Sequence, residues 1–304
     1  MTRTALILGA SGRFGRAATD ALTADGWTTR RFDRKRDDLN RAAEGADVIV
    51  MGANPPYHRW AAEVPALHSA VQAAALRAGA RVVLPGNVYV FGPDQGPVWS
   101  DDTPHRAENP LGLIRRRLEA GYRDAGVPVL VLRSGDYLDT APSGNWFDRL
   151  MVPALPRGVL RYPGPVDVPH AWAYLPDKAR AMADLLALGD ALPRFADIPF
   201  AGYTVTGADM GQALARVCGR PVAVRPFPWW QLHLLAPFMP VLRGSFEMRY
   251  LWSLPHSLDA APLDRWLPGF SATPLDQALA RAVAHLRLPA GPDRPRPDDA
   301  GWRG

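Results

Sequence analysis

Residues 9–15, Gly-Ala-Ser-Gly-Arg-Phe-Gly, constrain this chain more than any other segment. They directly follow Thr4-Ala-Leu-Ile-Leu8, a short aliphatic run of the kind that forms a strand buried on both faces. A helical pattern over Ala17–Ala24 comes next. In such a strand–turn–helix, Gly9 permits the tight turn, Gly12 lets a diphosphate approach the backbone, and Gly15 lets helix and strand pack closely. Ser11, Arg13 and Phe14 fill the rest of the turn. The first helical N–H groups, unpaired and at the positive end of the helix dipole, then face the anion.

The same alternation continues. Trp27–Phe32, Asp47–Met51, Arg81–Leu84 and Val127–Leu132 read as strands, with helical patterns over Val64–Ala78 and Leu111–Ala125. Strands alternating with helices predict an α/β chain with a Rossmann-type doubly wound parallel sheet. A smaller C-terminal substrate domain is expected beside it. The nucleotide domain is placed at 1–140 plus about 167–207, the substrate domain at about 141–166 plus 208–288, and residues 289–304 read as a disordered tail. Helices over Pro176–Leu188 and Gly207–Cys218 and a strand over Phe200–Val205 follow the same logic. The Trp-, Leu- and Pro-rich stretch Pro226–Leu254 reads as short helices packed into core over a pocket.

Composition narrows the function. An apolar fraction of 47% in 304 residues can bury a substantial core. The single Cys218 excludes a disulfide framework, and seven scattered His without a paired ligand motif argue against a metal. The net charge of +5 comes in short basic runs among acids, so no nucleic-acid partner is expected. Without an export signal or a run of about 20 apolar residues, the expected place is the cytoplasm, with no membrane partner.

The end of the second strand bears on the nucleotide. Asp33 stands where a carboxylate would accept from a ribose 2′-hydroxyl, which favours NAD. Arg13, Arg34, Lys35 and Arg36 surround that position, and guanidinium groups suit a 2′-phosphate. NADP is therefore preferred over NAD, with Arg13 and Arg34 as its expected ligands.

These residues resemble the short-chain dehydrogenase/reductase superfamily, in particular its extended, epimerase/dehydratase-like branch. The resemblance rests on the glycine turn, Leu84-Pro-Gly-Asn-Val-Tyr-Val-Phe-Gly92, Asp102-Thr-Pro104 with Asn109-Pro110, and Val131-Leu-Arg133-Ser-Gly-Asp136-Tyr137. It implies a nicotinamide cofactor, a small-molecule substrate and a homodimer paired through nucleotide-domain helices. It also implies a catalytic Ser or Thr, a Tyr and a Lys, and here the chain departs from the pattern. Asn87 stands at the Ser/Thr position, Leu111 at the Tyr and Arg115 at the Lys. Leucine moves no proton, whereas Arg115 can still hold a ribose hydroxyl and Asn87 can donate to a carbonyl.

Replacement acids are sought at the carboxyl ends of the strands. Tyr89 and His170 are the leading candidates, with Tyr57, Asp136 and Tyr137 as further donors. Tyr174-Leu-Pro-Asp-Lys178 spells the missing Tyr-x-x-x-Lys, but Pro176 places Tyr174 ahead of the helix that holds Lys178. The leading expectation is a divergent NADP-dependent oxidoreductase acting on a small carbonyl, imine or sugar-like substrate. The alternatives are a catalytically silent nucleotide-binding sensor or scaffold, and an epimerase or dehydratase with a tightly held cofactor.

Overall fold

A computed structural model describes residues 3–288; the tail expected at 289–304 lies outside the described residues. The chain begins β1 (Thr4–Leu8), α1 (Arg13–Ala24), β2 (Thr28–Phe32), α2 (Leu39–Ala43), β3 (Val48–Met51) and α3 (Trp60–Ala78). It continues with β4 (Arg81–Asn87), β5 (Val98–Trp99), α4 (Pro110–Asp124), β6 (Val129–Ser134) and β7 (Asp136–Leu138). Next come β8 (Val159–Tyr162), β9 (His170–Tyr174), α5 (Leu175–Ala187), β10 (Phe195–Pro199), β11 (Tyr203–Val205), α6 (Gly207–Cys218) and β12 (Ala223–Pro226). The last elements are α7 (Trp229–Leu235), α8 (Val241–Glu247), β13 (Ser257–Leu258), α9 (Ala261–Trp266) and α10 (Leu275–Ala282).

Six strands form one sheet in the order β10-β6-β4-β3-β1-β2, every pairing parallel. Its central strands are aliphatic because helices cover both faces. Val48–Met51 and Val129–Ser134 are buried along their whole length. On one face, Val64 and Val71 of α3 and Leu118 and Tyr122 of α4 close over Leu6, Ile49 and Val131. On the other, Phe14, Ala18 and Leu22 of α1 and Met182 and Leu185 of α5 close over Ile7, Val50 and Leu132. Each such aliphatic side chain withdrawn from water contributes about 1.5–3 kcal/mol before chain entropy is charged against it.

The winding reverses at β1, which has β2 on one side and β3 on the other. This topological switch opens a crevice outside the carboxyl ends of β1 and β3, the place where open α/β sheets bind ligands. The fold is a Rossmann-type α/β fold.

The C-terminal half builds a separate core around Trp172, Tyr162, Trp252, Met210 and Leu279. It carries a three-stranded sheet in the order β11-β9-β7 and the parallel pair β8/β12. α6 starts at a reciprocal cap: Thr206 Oγ1 accepts from the Asp209 N–H, and the Asp209 carboxylate accepts from the Thr206 N–H.

Two expectations from sequence need correction. Phe195–Pro199, read as part of no element, is the outer strand of the main sheet, and only Tyr203–Val205 of the expected strand at Phe200–Val205 is extended. The stretch Pro226–Leu254 is not wholly core: Trp229 and Trp252 are buried, but Trp230, Leu234, Leu235 and Phe238 lie on the surface.

Candidate functional site

At the switch crevice the glycine turn is built from backbone contacts that leave no room for side chains. Gly9 has φ +71°, and a Cβ on it would stand 2.5 Å from the Ala53 nitrogen in the segment after β3. A Cβ on Gly15 would overlap the Gly9 carbonyl. Gly12 is less confined, its nearest neighbour being the Gly9 oxygen at 3.1 Å. Gly12 also caps α1 in an extended conformation; no side chain caps this helix start and no acid occupies its first turn. The exposed Ser11 completes the turn. The geometry therefore fits a diphosphate, with close backbone approach, free N–H donors and the positive end of a 12-residue helix.

Arg13 does not turn toward the second strand. Its guanidinium donates to the Gly144 carbonyl at 3.1 Å, tying the turn to the loop before Trp146. Phe14 points inward, 3% exposed. Beyond β2, Asp33 keeps both carboxylate oxygens within its own loop: Oδ1 accepts from the Lys35 N–H at 3.0 Å and Oδ2 lies 3.7 Å from Arg36 Nε. Arg34, Lys35 and Arg36 are exposed around it.

The positions that matched the family's catalytic set are occupied otherwise. Leu111 is buried at the start of α4. Arg115, 7% exposed, donates to the Pro85 carbonyl and to Glu119 at 3.1 Å. Glu119 also pairs with Arg133 at 2.8 Å, and Arg133 reaches Asp197 at 2.5 Å and the Asn87 carbonyl at 2.6 Å. This ionic lattice holds the ends of β4, β6 and β10 together. Glu119, Asp197 and His105 bring ligand atoms within 4.8 Å of one another, but the Arg133 guanidinium already bonds both carboxylates.

Asn87 and Tyr89 do not share a strand face, because β4 ends at Asn87 and Val88–Val90 forms a 3₁₀ turn. The Asn87 Oδ1 accepts from the Tyr89 N–H at 3.1 Å, so a short-range side-chain bond wins over strand continuation. Tyr89 OH lies 2.6 Å from Tyr57 OH. Burial, the neighbouring Tyr57 and the Asp136 carboxylate push the Tyr89 phenol well above its usual range, and burial raises Tyr57 as well.

A different set of groups comes together at the ends of β6 and β7. Lys178, on the first turn of α5, is fully buried. Its Nζ donates to Ser134 Oγ at 2.7 Å and to Tyr137 OH at 2.8 Å, and the Gly86 carbonyl lies 3.5 Å away. The Phe14 ring of the glycine turn is 5.4 Å from this ammonium. Among the described residues, no carboxylate pairs with it. Burial alone raises the phenol of the half-buried Tyr137, but the Lys178 charge and hydrogen bond, the Ser134 hydrogen bond and Arg13 together bring it below 10.0. Burial lowers Lys178 against a partial restoration by Tyr137.

Tyr174 does not join Lys178. It ends β9 as the residue before α5, 1% exposed in the C-terminal core. His170 is also buried; its Nε2 lies 2.8 Å from Asp136 Oδ2, and its ring stacks on Trp252 at 4.1 Å. Asp136 and Tyr137, adjacent on β7, therefore serve different partners. Sequence reasoning missed Ser134 and the pairing of Tyr137 with Lys178. The available signal was the rarity of lysine, present only at positions 35 and 178.

A glycine turn whose geometry fits a diphosphate thus lies near a buried ammonium bonded to a half-buried phenol, on a fold shared with known proteins. No protein-family model and no curated protein matches the sequence. Among solved structures, the chain is similar to MoeE5 in complex with UDP-glucose and NAD, with 17% identity and a TM-score of 0.69 over 93% of this chain and 97% of that one. It is similar to the L-threonine dehydrogenase of Phytophthora infestans, at 18% identity and a TM-score of 0.70 over 93% and 98%. A human epimerase family protein, SDR39U1 isoform 2 with NADPH, gives 17% and 0.69 over 93% and 100%. At these identities the likeness establishes the fold.

Proposed function

We propose that the chain is an NADP-dependent oxidoreductase of short-chain dehydrogenase/reductase type, acting on a small carbonyl, imine or sugar-like substrate. The observation that carries this reading is the buried Lys178 bonded to Tyr137 and Ser134. A buried ammonium without a carboxylate is costly, and such costs mark functional sites.

Similar solved structures in complex with NAD or with NADPH support a nicotinamide cofactor. The backbone of Gly9, Ser11, Gly12 and Gly15, with the first turn of α1 through Phe14, would hold the diphosphate. Arg34 and Arg36 would hold a 2′-phosphate beside Asp33, since Arg13 is already engaged by Gly144. Hydride exchange is the chemistry the bound nicotinamide supplies. The chain's own share is the proton. Tyr137 OH gives it to the carbonyl oxygen as negative charge develops there, and Lys178 stabilises the phenolate left behind. Ser134 holds the ammonium in register. Arg115 and Arg133 fix the ends of β4 and β6, and β6 carries Ser134 and leads into β7 with Tyr137.

Leu111 in the core and Arg115 tied into the ionic lattice favour the silent-binder reading. The two separate on one experiment: oxidation of NADPH against a panel of small carbonyl compounds, with wild type and Tyr137→Phe. Substrate-dependent oxidation lost in the variant supports the enzyme; binding of nucleotide with no turnover on any carbonyl supports the silent binder.

A further inference from the structure

Seven large apolar side chains are exposed among the described residues, and four of them fall within nine positions: Trp230 (63%), Leu234 (66%), Leu235 (47%) and Phe238 (83%). They lie on α7 and the turn that leads to α8. This turn is firmly attached rather than loosely packed. Trp229 is buried with its indole donating to the Pro163 carbonyl at 2.8 Å, and His233 stacks on Phe246 of α8 at 4.1 Å. Gly244 of α8 sits against the Tyr57 ring, which seats the hairpin on the wall of the crevice. One side of the hairpin is thus committed to core and the other offers aromatic and aliphatic surface to the outside.

The exposed charges of the segment that carries this surface have one sign. From Pro221 to Tyr250 the charged residues are Arg225, Arg243, Glu247 and Arg249. The three arginines are exposed. Glu247 turns inward, where its carboxylate accepts from Asn109 Nδ2 and from the Leu111 N–H. At the root of α7 a cavity of about 670 Å³ is lined by Arg161, Tyr162, Trp229, Trp230 and Arg249 among others.

We propose that the α7–α8 hairpin docks the protein on a membrane surface of anionic phospholipid. An amphipathic segment with Trp, Phe and Leu on one side and arginines at its flanks lies in the plane of a bilayer interface, with apolar side chains among the acyl chains and cations at the phosphates. No described helix is long and apolar enough to cross a membrane, and the seven residues of α7 span only about 10 Å. The contact is therefore with one leaflet. A second copy of the chain fits less well: pairing this segment with itself would set its arginines against one another with no exposed acid of the segment to answer them. The cavity with Arg161 and Arg249 is suited to a phosphodiester headgroup. The proposal is independent of the redox chemistry assigned to the crevice.

The test is flotation of the full chain with vesicles of phosphatidylcholine alone, or with about one third phosphatidylglycerol, in low and high salt. At least tenfold more protein is expected to float with the anionic vesicles in low salt. Trp230→Ser with Phe238→Ser should abolish flotation, and Arg225→Glu with Arg243→Glu should reduce it to the phosphatidylcholine level. Unchanged melting temperature and far-ultraviolet circular dichroism of the variants establish that they are folded. Failure of the wild type to float with anionic vesicles overturns the proposal. So does a sedimenting dimer that Trp230→Ser with Phe238→Ser splits, which would make the occupant a second copy.

Discussion

The Lys178 ammonium donates to the Tyr137 hydroxyl at 2.8 Å, joining the first turn of α5 to β7, 41 residues earlier in the chain. Neither residue occupies the position at which the superfamily pattern places its Tyr or Lys. Yet the physical relationship is the one a proton-donating phenol needs: a cation beside its oxygen in a site withdrawn from water.

Tyr137→Phe removes the proton and keeps the ring. Turnover is expected to fall by about 10²-fold or more, in line with the usual contribution of a general acid. Nucleotide affinity should stay within about threefold, as read by calorimetric titration. Tyr89→Phe serves as comparison; its phenol is held well above the usual range and its loss should cost turnover far less.

Lys178→Met separates stability from function. It exchanges a buried unpaired ammonium for an apolar chain of similar length, so the melting temperature should hold or rise. Activity in the oxidative direction, which needs the phenolate, should rise with pH through an inflection below the ordinary phenol value in wild type and shifted upward in the variant, because burial then acts on Tyr137 without the Lys178 charge. A pH–rate profile reads this directly.

In the glycine turn, Gly12→Ala and Gly15→Ala should part company. The alanine Cβ at 12 meets the Gly9 oxygen at 3.1 Å and the Gly52 oxygen at 3.4 Å, neither closer than 3 Å, so the fold should survive while dinucleotide affinity drops about tenfold or more. At 15 the same Cβ overlaps backbone, and about 1–3 kcal/mol of stability should go with it. Thermal melts and titrations of both variants check the difference.

Arg133→Met leaves Glu119 and Asp197 buried with one cation fewer. Removing one partner of such a lattice costs about 3–5 kcal/mol, measurable in urea unfolding.

His68 and His256 give a pH dependence of stability. Burial lowers each from 6.5 to about 3, with Arg115 adding to the effect at His68 and His170 at His256. Between those values the unfolded chain binds protons that the folded chain refuses, so stability falls as pH drops below 6.5. Each histidine should contribute about 1 kcal/mol of loss between pH 6 and 5. His256→Gln should flatten the slope of unfolding free energy against pH.

The main sheet was legible in sequence wherever a strand is buried on both faces, as at Thr4–Leu8 and Val48–Met51, since helical cover forces an unbroken aliphatic run. Phe195–Pro199 escaped because Asp197 faces the Arg133 lattice and Pro199 ends the strand, breaking that pattern. The glycine turn was legible because its chemistry is local. The phenol–ammonium pair was not, because the two elements meet only once β7 and β9 pair and α5 packs over them. A literal Tyr174-x-x-x-Lys178 pointed to the buried lysine but not to the tyrosine bonded to it: at the residue before α5, Tyr174 is extended and faces the C-terminal core.

The central claim is that the crevice at Gly9–Gly15 binds a nicotinamide dinucleotide whose reaction draws its proton from Tyr137. Calorimetric titration of wild type and Gly12→Ala with NADPH, NADP⁺, NADH and NAD⁺ tests its foundation most directly. The account predicts saturable binding by wild type, tighter for the two 2′-phosphorylated forms and weakened in the variant. Absence of binding heat with all four, at protein and nucleotide concentrations that would detect a dissociation constant of about 1 mM, would contradict it.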